Sequence, residues 1–438
     1  MRTSNKTNGH SGVRIALYSH DGMGLGHIRR NLLIAQSLIA HRSESDVLLI
    51  AGAHEASVLS SEVGIDCLTV PRLCKEADGS YAPRSMNLDL ADLLEVRSQA
   101  IGGALRAFDP DLFIVDKKPR GAHGELDSVL QDLRARGRTK IVLGFRDVLD
   151  APEAVAREWN ECNYSAAIRD YYDAVWVYGD RNVHDLAAEA RLPESVGRRL
   201  EYTGYFDKRA RLAHTGKSAR GLLAETGVND DPFILCLVGG GEDGMQLAEN
   251  FARAELPRGM HGIIVTGPFM PASFRSALFD LAGKRPGLHV LEFVSEPTTL
   301  IAAAERVISM GGYCAFTEAV SFEKPTLIVP RVEPRREQLI RAQRFAELGL
   351  VDYLTPDRLS PSALARWMAE ETNVGRGARS RIDIGGTDRL PRMVDALLQD
   401  GRPPGEEPGS AAAPPRVVAE RREIEGRPGA NLLPAKKL

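Results

Sequence analysis

Residues 14–41, RIALYSHDGMGLGHIRRNLLIAQSLIAH, contain a short apolar stretch, a run rich in glycine and a longer segment with helical periodicity. The apolar stretch Arg14–Tyr18 predicts a buried strand. After His27, apolar residues recur at the i, i+4, i+7 and i+11 spacing of one helix face: Ile28, Leu32, Ala35 and Ile39. A strand that leads through a tight turn into a helix is typical of a βαβ unit.

Apolar runs bounded by turn residues recur along the chain, with helical stretches between them. The runs in the first half are Arg14–Tyr18, Val47–Ala51, Leu112–Val115, Lys140–Leu143 and Ala174–Val177. Those in the second half are Phe233–Val238, Gly262–Val265, Leu288–Leu291, Arg306–Ile308 and Thr326–Val329. Strands that alternate with helices predict an α/β fold with parallel sheets covered on both faces.

The strand series predicts two doubly wound, Rossmann-like domains that face each other across a cleft. The series pauses in a stretch rich in charge and glycine, and we place a linker there, at 203–230. The first domain then spans 13–202 and the second spans 231–399. Residues 1–12 and the proline-rich segment 400–438 are predicted to be disordered, because a polar, proline-rich composition cannot bury a core.

The chain of 438 residues is 43% hydrophobic and 26% charged, as globular proteins are. Its net charge of -3 gives no reason to expect a nucleic-acid partner. The five cysteines are dispersed without a CxxC pair, which is typical of reduced thiols in the cytoplasm. No apolar run approaches the ~18–20 residues of a membrane span, and the polar start does not resemble a secretory signal. The composition predicts a soluble cytoplasmic protein.

The glycine-rich turn after the first strand, Ser19–His27, is a candidate anion site. Gly24 and Gly26 let the backbone approach a ligand, and the following helix offers unpaired N–H groups at its positive end. His27 begins that helix, where the dipole favours the neutral imidazole that a general base needs. His20 is the rival base. The alternative is a plain strand-to-helix turn, and the glycine spacing does not fit the dinucleotide fingerprint.

The second half repeats this pattern. After the strand Phe233–Val238, a glycine run opens a helix and would suit a diphosphate: Gly239, Gly240 and Gly241. After Arg306–Ile308, another glycine turn, Gly311-Gly312, leads into a short helix that carries Glu318. A carboxylate at such a place is either a partner of the helix dipole or an acceptor for both hydroxyls of a ribose.

Together these segments resemble the GT-B glycosyltransferases, and most closely family 28, which includes the peptidoglycan N-acetylglucosaminyltransferases. The second-half motifs are Gly311-Gly312, Glu318-Ala319, Pro325, Pro330 and Glu337-Gln338. The first-half motif, Gly24-Leu25-Gly26-His27-Ile28-Arg29-Arg30, is also similar to the glycine loop of UDP-sugar hydrolases of nonulosonic-acid synthesis. In architecture the resemblance covers roughly residues 14–400.

The resemblance implies an inverting, metal-independent hexosyltransferase that moves a sugar from a UDP-sugar to a hydroxyl of a glycan, lipid-linked or small-molecule acceptor. It implies no cofactor apart from this co-substrate, which the second domain would bind while the first binds the acceptor. The implied donor-binding residues are Gly24, Gly26, Gly239, Gly240, Gly241, Gly311, Gly312, Glu318, Glu337 and Gln338. His27 or His20 would accept the proton of the acceptor hydroxyl.

The chain departs from the family pattern at several positions. Ala315 stands where threonine is common, Cys314 where a polar residue is usual, Glu323 where glycine is frequent, and Glu337 where aspartate is usual. Two alternatives therefore stay open: a nucleotide-sugar hydrolase of the same fold, with water as acceptor, and a non-catalytic nucleotide-sugar-binding protein. Epimerisation on this fold has no specific motif in the sequence.

The helical stretch Leu88–Phe108 carries an apolar stripe with basic residues downstream. The stripe is Leu90, Leu93, Leu94, Ile101 and Leu105, and the basic residues are Lys117, Lys118 and Arg120. Such a stripe is either the core face of a helix or a weak peripheral contact with the inner face of a membrane, near a lipid-linked acceptor.

Overall fold

The structure is a computed structural model that describes residues 12–20, 25–75, 81–214, 218–224, 228, 231–240 and 243–399. The strands of the first half are β1 (Arg14–Ser19), β2 (Asp46–Ala51), β3 (Asp66–Thr69), β4 (Leu73–Lys75), β5 (Tyr81–Pro83), β6 (Leu112–Asp116), β7 (Lys140–Arg146), β8 (Ala174–Tyr178) and β9 (Leu200–Tyr202). Strands β4 and β5 pair antiparallel. The other seven form one parallel sheet in the order β3-β2-β1-β6-β7-β8-β9.

Helices cover both faces of this sheet, and β1 shows why. Ile15 and Leu17 pack into one apolar cluster, whereas Ala16 and Tyr18 pack into another, because successive side chains of a strand point to opposite faces. The helices are α1 (Gly26–His41), α2 (Glu55–Ser61), α3 (Leu90–Phe108), α4 (Asp127–Arg136), α5 (Pro152–Glu161), α6 (Tyr164–Tyr171), α7 (Leu186–Glu189) and α8 (Glu194–Gly197).

The second half contains another parallel sheet, with the order β12-β11-β10-β13-β14-β15. Its strands are β10 (Phe233–Leu237), β11 (His261–Val265), β12 (Leu288–Leu291), β13 (Arg306–Ser309), β14 (Thr326–Ile328) and β15 (Asp352–Tyr353). The helices are α9 (Ala219–Leu223), α10 (Met245–Arg253), α11 (Ala272–Gly283), α12 (Thr298–Ala303), α13 (Tyr313–Phe322), α14 (Glu337–Glu347), α15 (Pro361–Ala369), α16 (Ala378–Arg381) and α17 (Gly386–Gln399).

The ten predicted strands are all present, and the prediction of an α/β fold with two parallel-sheet domains is confirmed. The sequence prediction missed the short edge strands β3, β9 and β15, which have four, three and two residues. Runs of this length are too short to show an alternating pattern, so the neighbouring strand decides their conformation.

The last helix, α17, packs against α1 of the first domain. Asp395 of α17 accepts hydrogen bonds from His41 Nε2 at 2.8 Å and from Arg42 Nε at 2.7 Å. The range 231–399, predicted as the second domain, thus includes a helix that lies on the first. The predicted disordered segments 1–12 and 400–438 lie outside the described residues except for Gly12.

The apolar stripe of α3 is largely a core face. Leu93, Ile101 and Leu105 are fully buried, and Leu90 and Leu94 are partly buried against an apolar cluster. This stripe therefore gives no support to the predicted membrane contact. None of the helices in the described part of the chain combines the length and apolar character of a membrane-spanning helix.

Candidate active site

A histidine–aspartate pair lies where β6 ends and α1 begins. His27, the second residue of α1, shares a hydrogen bond between its Nδ1 and the carboxylate of Asp116, the last residue of β6. Arg30, one turn further along α1, also donates to Asp116. The side chain of His27 is 13% exposed and that of Asp116 is fully buried. The buried carboxylate of Asp116 thus fixes the orientation of the imidazole, while a small part of the His27 side chain stays accessible to solvent.

Two groups contact Nδ1 of His27: the carboxylate of Asp116, which can only accept, and Nη2 of Arg30 at 3.0 Å, which can only donate. The contact with Asp116 is the shorter one, and it favours a proton on Nδ1. When Nδ1–H donates to the carboxylate, Nε2 carries the lone pair, and no described residue forms a hydrogen bond to Nε2. Burial lowers the pKa of His27 to about 4, although Asp116 opposes that shift. Burial would raise the pKa of Asp116, but Arg30 and His27 hold it well below its usual range. The ring is therefore a neutral, oriented proton acceptor at neutral pH.

His20, the rival base, follows β1 and lies beside His27, with 5.4 Å between the ring centroids. Its Nδ1 is buried without a hydrogen-bond partner among the described residues. Burial lowers the pKa of His20 well below its ordinary value, and His27 and Lys117 lower it further. His20 lacks the carboxylate that orients His27, and this difference favours His27 as the base.

The N-termini of α1 and α13 meet at this place. The Sγ atom of Cys314, in the first turn of α13, lies 3.5 Å from the carbonyl oxygen of Gly26. The first turns of both helices lack acidic residues. Gly311 has a φ of +82°, and Gly312 is the N-cap of α13. The positive N-terminal ends of two helices therefore lie close together, which is an arrangement suited to phosphates.

Glu318 lies one turn further along α13 and is only 4% exposed. Its nearest cation is Arg29 of α1, with 3.8 Å between Nη1 and Oε1. At that distance no hydrogen bond forms, and neither carboxylate oxygen accepts one from the described residues. Burial raises the pKa of Glu318, while Arg29 and Lys208 oppose the shift. A buried carboxylate with unused acceptor capacity is suited to the hydroxyls of a ligand.

Arg331 joins the glycine loop after β10 to the start of α14. Its Nη1 donates to Asp243 and its Nη2 to Glu337, each at 2.7 Å. The side-chain oxygen of Gln338 accepts a hydrogen bond from the backbone N–H of Arg331 at 2.9 Å. Glu337 Oε2 is buried without a partner in the described part of the chain. Arg331 thus positions two loops that the sequence motifs placed at the donor.

The described part of the glycine loop, Gly239 and Gly240, makes one backbone contact with the segment after β11. Gly239 has a φ of +65°, and the carbonyl oxygen of Gly240 accepts a hydrogen bond from the backbone N–H of Phe269 at 2.9 Å. Gly24 and Gly241 lie outside the described residues. The structure brings His20, His27 and Gly26 together with Gly312 and Glu318, and Arg331 connects the glycine loop with Glu337 and Gln338.

Sequence reasoning missed the charged residues that organise the site. The sequence does contain a signal for Asp116: it directly follows the apolar run Leu112–Val115. Ligands bind at the carboxyl ends of parallel strands, so a charged residue at this position is a candidate site residue. The sequence contains no such signal for Arg331 and Asp243, because they are 88 positions apart and only the tertiary fold brings them into contact. The described residues contain no group of three or more His, Cys, Asp or Glu side chains arranged to hold a metal ion.

Two parallel-sheet α/β domains, with candidate site residues at the ends of their strands, are typical of the GT-B fold. Residues 235–374 match the glycosyltransferase family 28 C-terminal domain. The chain therefore resembles family 28 over residues 235–374, in agreement with the resemblance drawn from the motifs.

A curated relative is the UDP-N-acetylglucosamine–N-acetylmuramyl-(pentapeptide) pyrophosphoryl-undecaprenol N-acetylglucosamine transferase of Geobacillus kaustophilus. The two proteins are 29% identical over 125 residues, which is 28% of this chain and 34% of the relative. The chain therefore matches about a third of the length of that relative.

Solved structures share the fold over most of the chain. The calicheamicin glycosyltransferase CalG4 is 18% identical with a TM-score of 0.56, and the match covers 89% of this chain and 99% of that one. A proposed UDP-N-acetylglucosamine 2-epimerase of Listeria monocytogenes is 12% identical with a TM-score of 0.60, covering 91% and 100%. MurG of Acinetobacter baumannii is 14% identical with a TM-score of 0.52, covering 88% and 99%. At these identities the structures establish the fold alone.

Proposed function

We propose that this protein is an inverting glycosyltransferase that moves a hexosyl group from a UDP-sugar to a hydroxyl acceptor. The observation that carries the proposal is the meeting of the His27–Asp116 pair with the N-terminus of α13 and the buried Glu318. The first supplies an oriented base, the second a site for phosphates, and the third an acceptor for ribose hydroxyls.

In the proposed reaction, His27 Nε2 accepts the proton of the acceptor hydroxyl as its oxygen attacks the anomeric carbon. Asp116 keeps the ring in the required tautomer and stabilises the imidazolium that forms. The bond from the anomeric carbon to the diphosphate breaks on the opposite face of the sugar, so the configuration inverts. UDP leaves with the electron pair of that bond.

Charge that develops on the leaving diphosphate would meet the N-termini of α1 and α13. Preorganised N–H groups of this kind stabilise a transition state because they need no reorganisation when charge appears. Two aligned helix ends can share the role that a metal ion has in other transferases, so we propose that the reaction needs no metal. Activity that survives exhaustive chelation would support this part, and loss that only a divalent ion restores would refute it.

The test combines UDP binding by calorimetry with UDP release in the presence of a panel of hydroxyl acceptors. The proposal requires both binding and acceptor-dependent release. Release of free sugar at the same rate without any acceptor would instead establish a hydrolase. Tight UDP binding without turnover of any sugar donor would identify a non-catalytic binding protein.

Gly312→Ala is expected to weaken UDP binding while the protein stays folded. Gly312 has ordinary extended angles, and a Cβ built there meets no described atom within 4 Å, so the methyl group would project into the space proposed for the diphosphate. The expected loss is about tenfold in affinity, with a melting temperature near that of the wild type. Gly103→Ala, in an equally open position on α3, is the matched control. Equal UDP affinity in both variants would contradict the proposed diphosphate position.

Gly311→Ala provides a contrast to Gly312→Ala. Its Cβ would lie 2.6 Å from Ile328 Cγ2 at a φ of +82°, so this variant should lose stability rather than ligand affinity alone.

The pH dependence of kcat/KM and of kcat should report the pKa of His27 in the free and in the ligand-bound protein. Because burial lowers its pKa from 6.5 to about 4, the base stays unprotonated, and donor kcat/KM should be flat from pH 8 down to about 5. The acid limb of kcat should lie at higher pH than that of kcat/KM, since the bound diphosphate adds negative charge beside the ring and favours its protonated form. An acid limb of kcat/KM centred near the ordinary value of 6.5 would contradict this environment.

A further inference from the structure

A buried lysine of the linker lies near Glu318 without an ion-pair partner. Lys208 begins the 3₁₀ helix Lys208–His214, and it is only 1% exposed. In the described part of the chain, no carboxylate forms an ion pair with its Nζ, which donates only to a thiol. Lysine is almost never fully buried unless it is paired, because an unpaired buried charge is costly. Lys208 is therefore a candidate for a functional role.

Two hydrogen bonds fix Lys208 against α13. Its backbone N–H donates to Ser321 Oγ at 2.9 Å, and its Nζ donates to Cys314 Sγ at 4.0 Å. The thiol of Cys314 in turn donates to the carbonyl oxygen of Gly26. Cys314 and Glu318 are four positions apart on α13, so their side chains lie on the same face of the helix. The ammonium of Lys208 therefore lies beside the face that carries Glu318.

The charged groups that act most strongly on Glu318 come from three other segments. They are Arg29 on α1, Lys208 and Arg211 in the linker, and Glu296 before α12. Glu296 engages two of the cations, since Arg211 Nε donates to it at 2.6 Å and Arg29 Nη2 at 3.2 Å. Lys208 is the one cation of this set that forms no hydrogen bond or ion pair with a carboxylate of the described residues. Its charge is therefore available to Glu318.

The charge of Lys208 favours the ionised form of Glu318. Burial raises the pKa of Glu318, and Arg29, followed by Lys208, opposes that shift. Burial lowers the pKa of Lys208, and Cys314 and Glu318 oppose that shift in turn. The two charged forms thus support each other inside the protein.

The contact with Cys314 keeps the ammonium of Lys208 out of hydrogen-bond range of Glu318. An ammonium in direct contact would donate to the carboxylate and use the acceptor capacity that a ligand needs. At its observed place Lys208 supplies charge and leaves both oxygens of Glu318 free to accept hydrogen bonds. This arrangement gives a function to Cys314, one of the positions where the sequence departs from the family pattern.

On this basis, and resting on the proposed function, we infer that Lys208 is a positioning residue for the donor. It keeps Glu318 as a carboxylate whose two oxygens are free for the ribose hydroxyls of the nucleotide, and Cys314 holds the ammonium in place. Lys208 acts through Glu318 and does not contact the diphosphate. The linker, and not only the second domain, then contributes to recognition of the donor.

Calorimetry of the full-length protein with uridine and with UDP tests this inference. Uridine carries the ribose hydroxyls without a diphosphate, so it isolates the interaction with Glu318. Lys208→Met removes the charge and should weaken both ligands by the same factor. The acid limb of both affinities should lie about one pH unit higher than in the wild type, because Glu318 without this counter-charge binds a proton more readily. On the acid side, binding is then up to about tenfold weaker.

Further variants separate this role from a structural one. Lys208→Arg keeps the charge and should return the acid limb towards its wild-type position. In a Glu318→Gln background no carboxylate ionises, so adding Lys208→Met should change uridine affinity by less than about twofold. Lys284→Met, at an exposed lysine directly after α11, is the matched control and should bind both ligands as the wild type does. Thermal unfolding confirms that each variant is folded, and Lys208→Gln replaces Lys208→Met if the latter does not fold.

The outcomes are distinguishable. A loss for UDP but not for uridine would show that Lys208 contacts the diphosphate, and the inference would be wrong. An unshifted acid limb, or a loss that persists in the Glu318→Gln background, would reduce Lys208 to a structural role. If the wild type binds neither ligand, the proposed function fails, and urea unfolding of the same single and double variants decides the pairing. A coupling energy that disappears as Glu318 is protonated upholds the pair, and its absence at every pH refutes it.

Discussion

Replacement of His27 by alanine is expected to lower kcat for acceptor-dependent UDP release by about 10²- to 10⁴-fold, the usual contribution of a positioned general base. UDP affinity should change little, because in the proposed reaction the imidazole contacts the acceptor hydroxyl, whereas backbone N–H groups bind the diphosphate. The exposed edge of His27 and its buried partner Asp116 are the physical basis for this expectation. Steady-state kinetics with calorimetry of UDP separates the two effects.

Alanine variants of two further histidines, His41 and His20, serve as controls for His27→Ala. His41→Ala changes a histidine in the last turn of the same helix, where the ring is 39% exposed, and it should leave kcat unchanged. His20→Ala should lower kcat less than His27→Ala does, since no carboxylate among the described residues forms a hydrogen bond with His20. A larger loss for His20→Ala would transfer the role of base to His20, and unchanged turnover in His27→Ala would refute the mechanism.

Asp116→Asn tests the orienting role of the carboxylate. An amide leaves Arg30 without its charged partner and no longer favours the Nδ1–H tautomer, so kcat should fall even where UDP still binds. Thermal unfolding must accompany this variant, because the unpaired buried guanidinium also destabilises the fold.

Arg341→Ala is expected to produce the largest loss of stability, about 3–5 kcal/mol in the free energy of unfolding. Arg341 lies on α14 of the second domain, and Asp147 follows β7 of the first. The guanidinium of Arg341 donates hydrogen bonds to Oδ1 of Asp147 from Nη2 at 2.8 Å and from Nε at 3.0 Å. Both side chains are at most 1% exposed. The variant would leave Asp147 as a buried carboxylate whose remaining side-chain donor is the hydroxyl of Tyr205, at 3.1 Å.

Urea unfolding of Arg341→Ala and of three further variants checks this expectation. Asp147→Ala should cost a similar amount, and the double variant should cost clearly less than the sum, because the two residues act as one pair. Arg253→Ala removes the exposed Arg253–Glu249 pair on α10 and should cost less than about 1 kcal/mol. A loss below about 1 kcal/mol for Arg341→Ala would show that the pair contributes little to the contact between the domains.

Much of the fold could be predicted from the residues alone. The run Arg14–Tyr18 and the helical spacing from Ile28 to Ile39 report local periodicity, and both elements are present. The amphipathic pattern did not show that Leu33 and Ile34 of α1 are also buried. They are buried because α13 and α17 pack on further sides of this helix, and no local pattern contains that contact.

The candidate site was predictable only in part. The glycine turns and Glu318 could be predicted as site residues because they belong to short, contiguous sequence motifs. Lys117 and Lys118 were interpreted as basic neighbours of a membrane surface. In the structure Lys118 pairs with Glu158, and both lysines line a small pocket with Phe145 and Trp159.

The sequence by itself determined the alternation of strands and helices, the two parallel sheets and the glycine turns, because these follow from hydrophobic periods and backbone freedom within a few residues. Only the tertiary structure decided which carboxylate orients His27 and which cation faces Glu318. Asp116 is 89 positions from His27, and the two meet because adjacent parallel strands bring their carboxyl ends to one edge of the sheet.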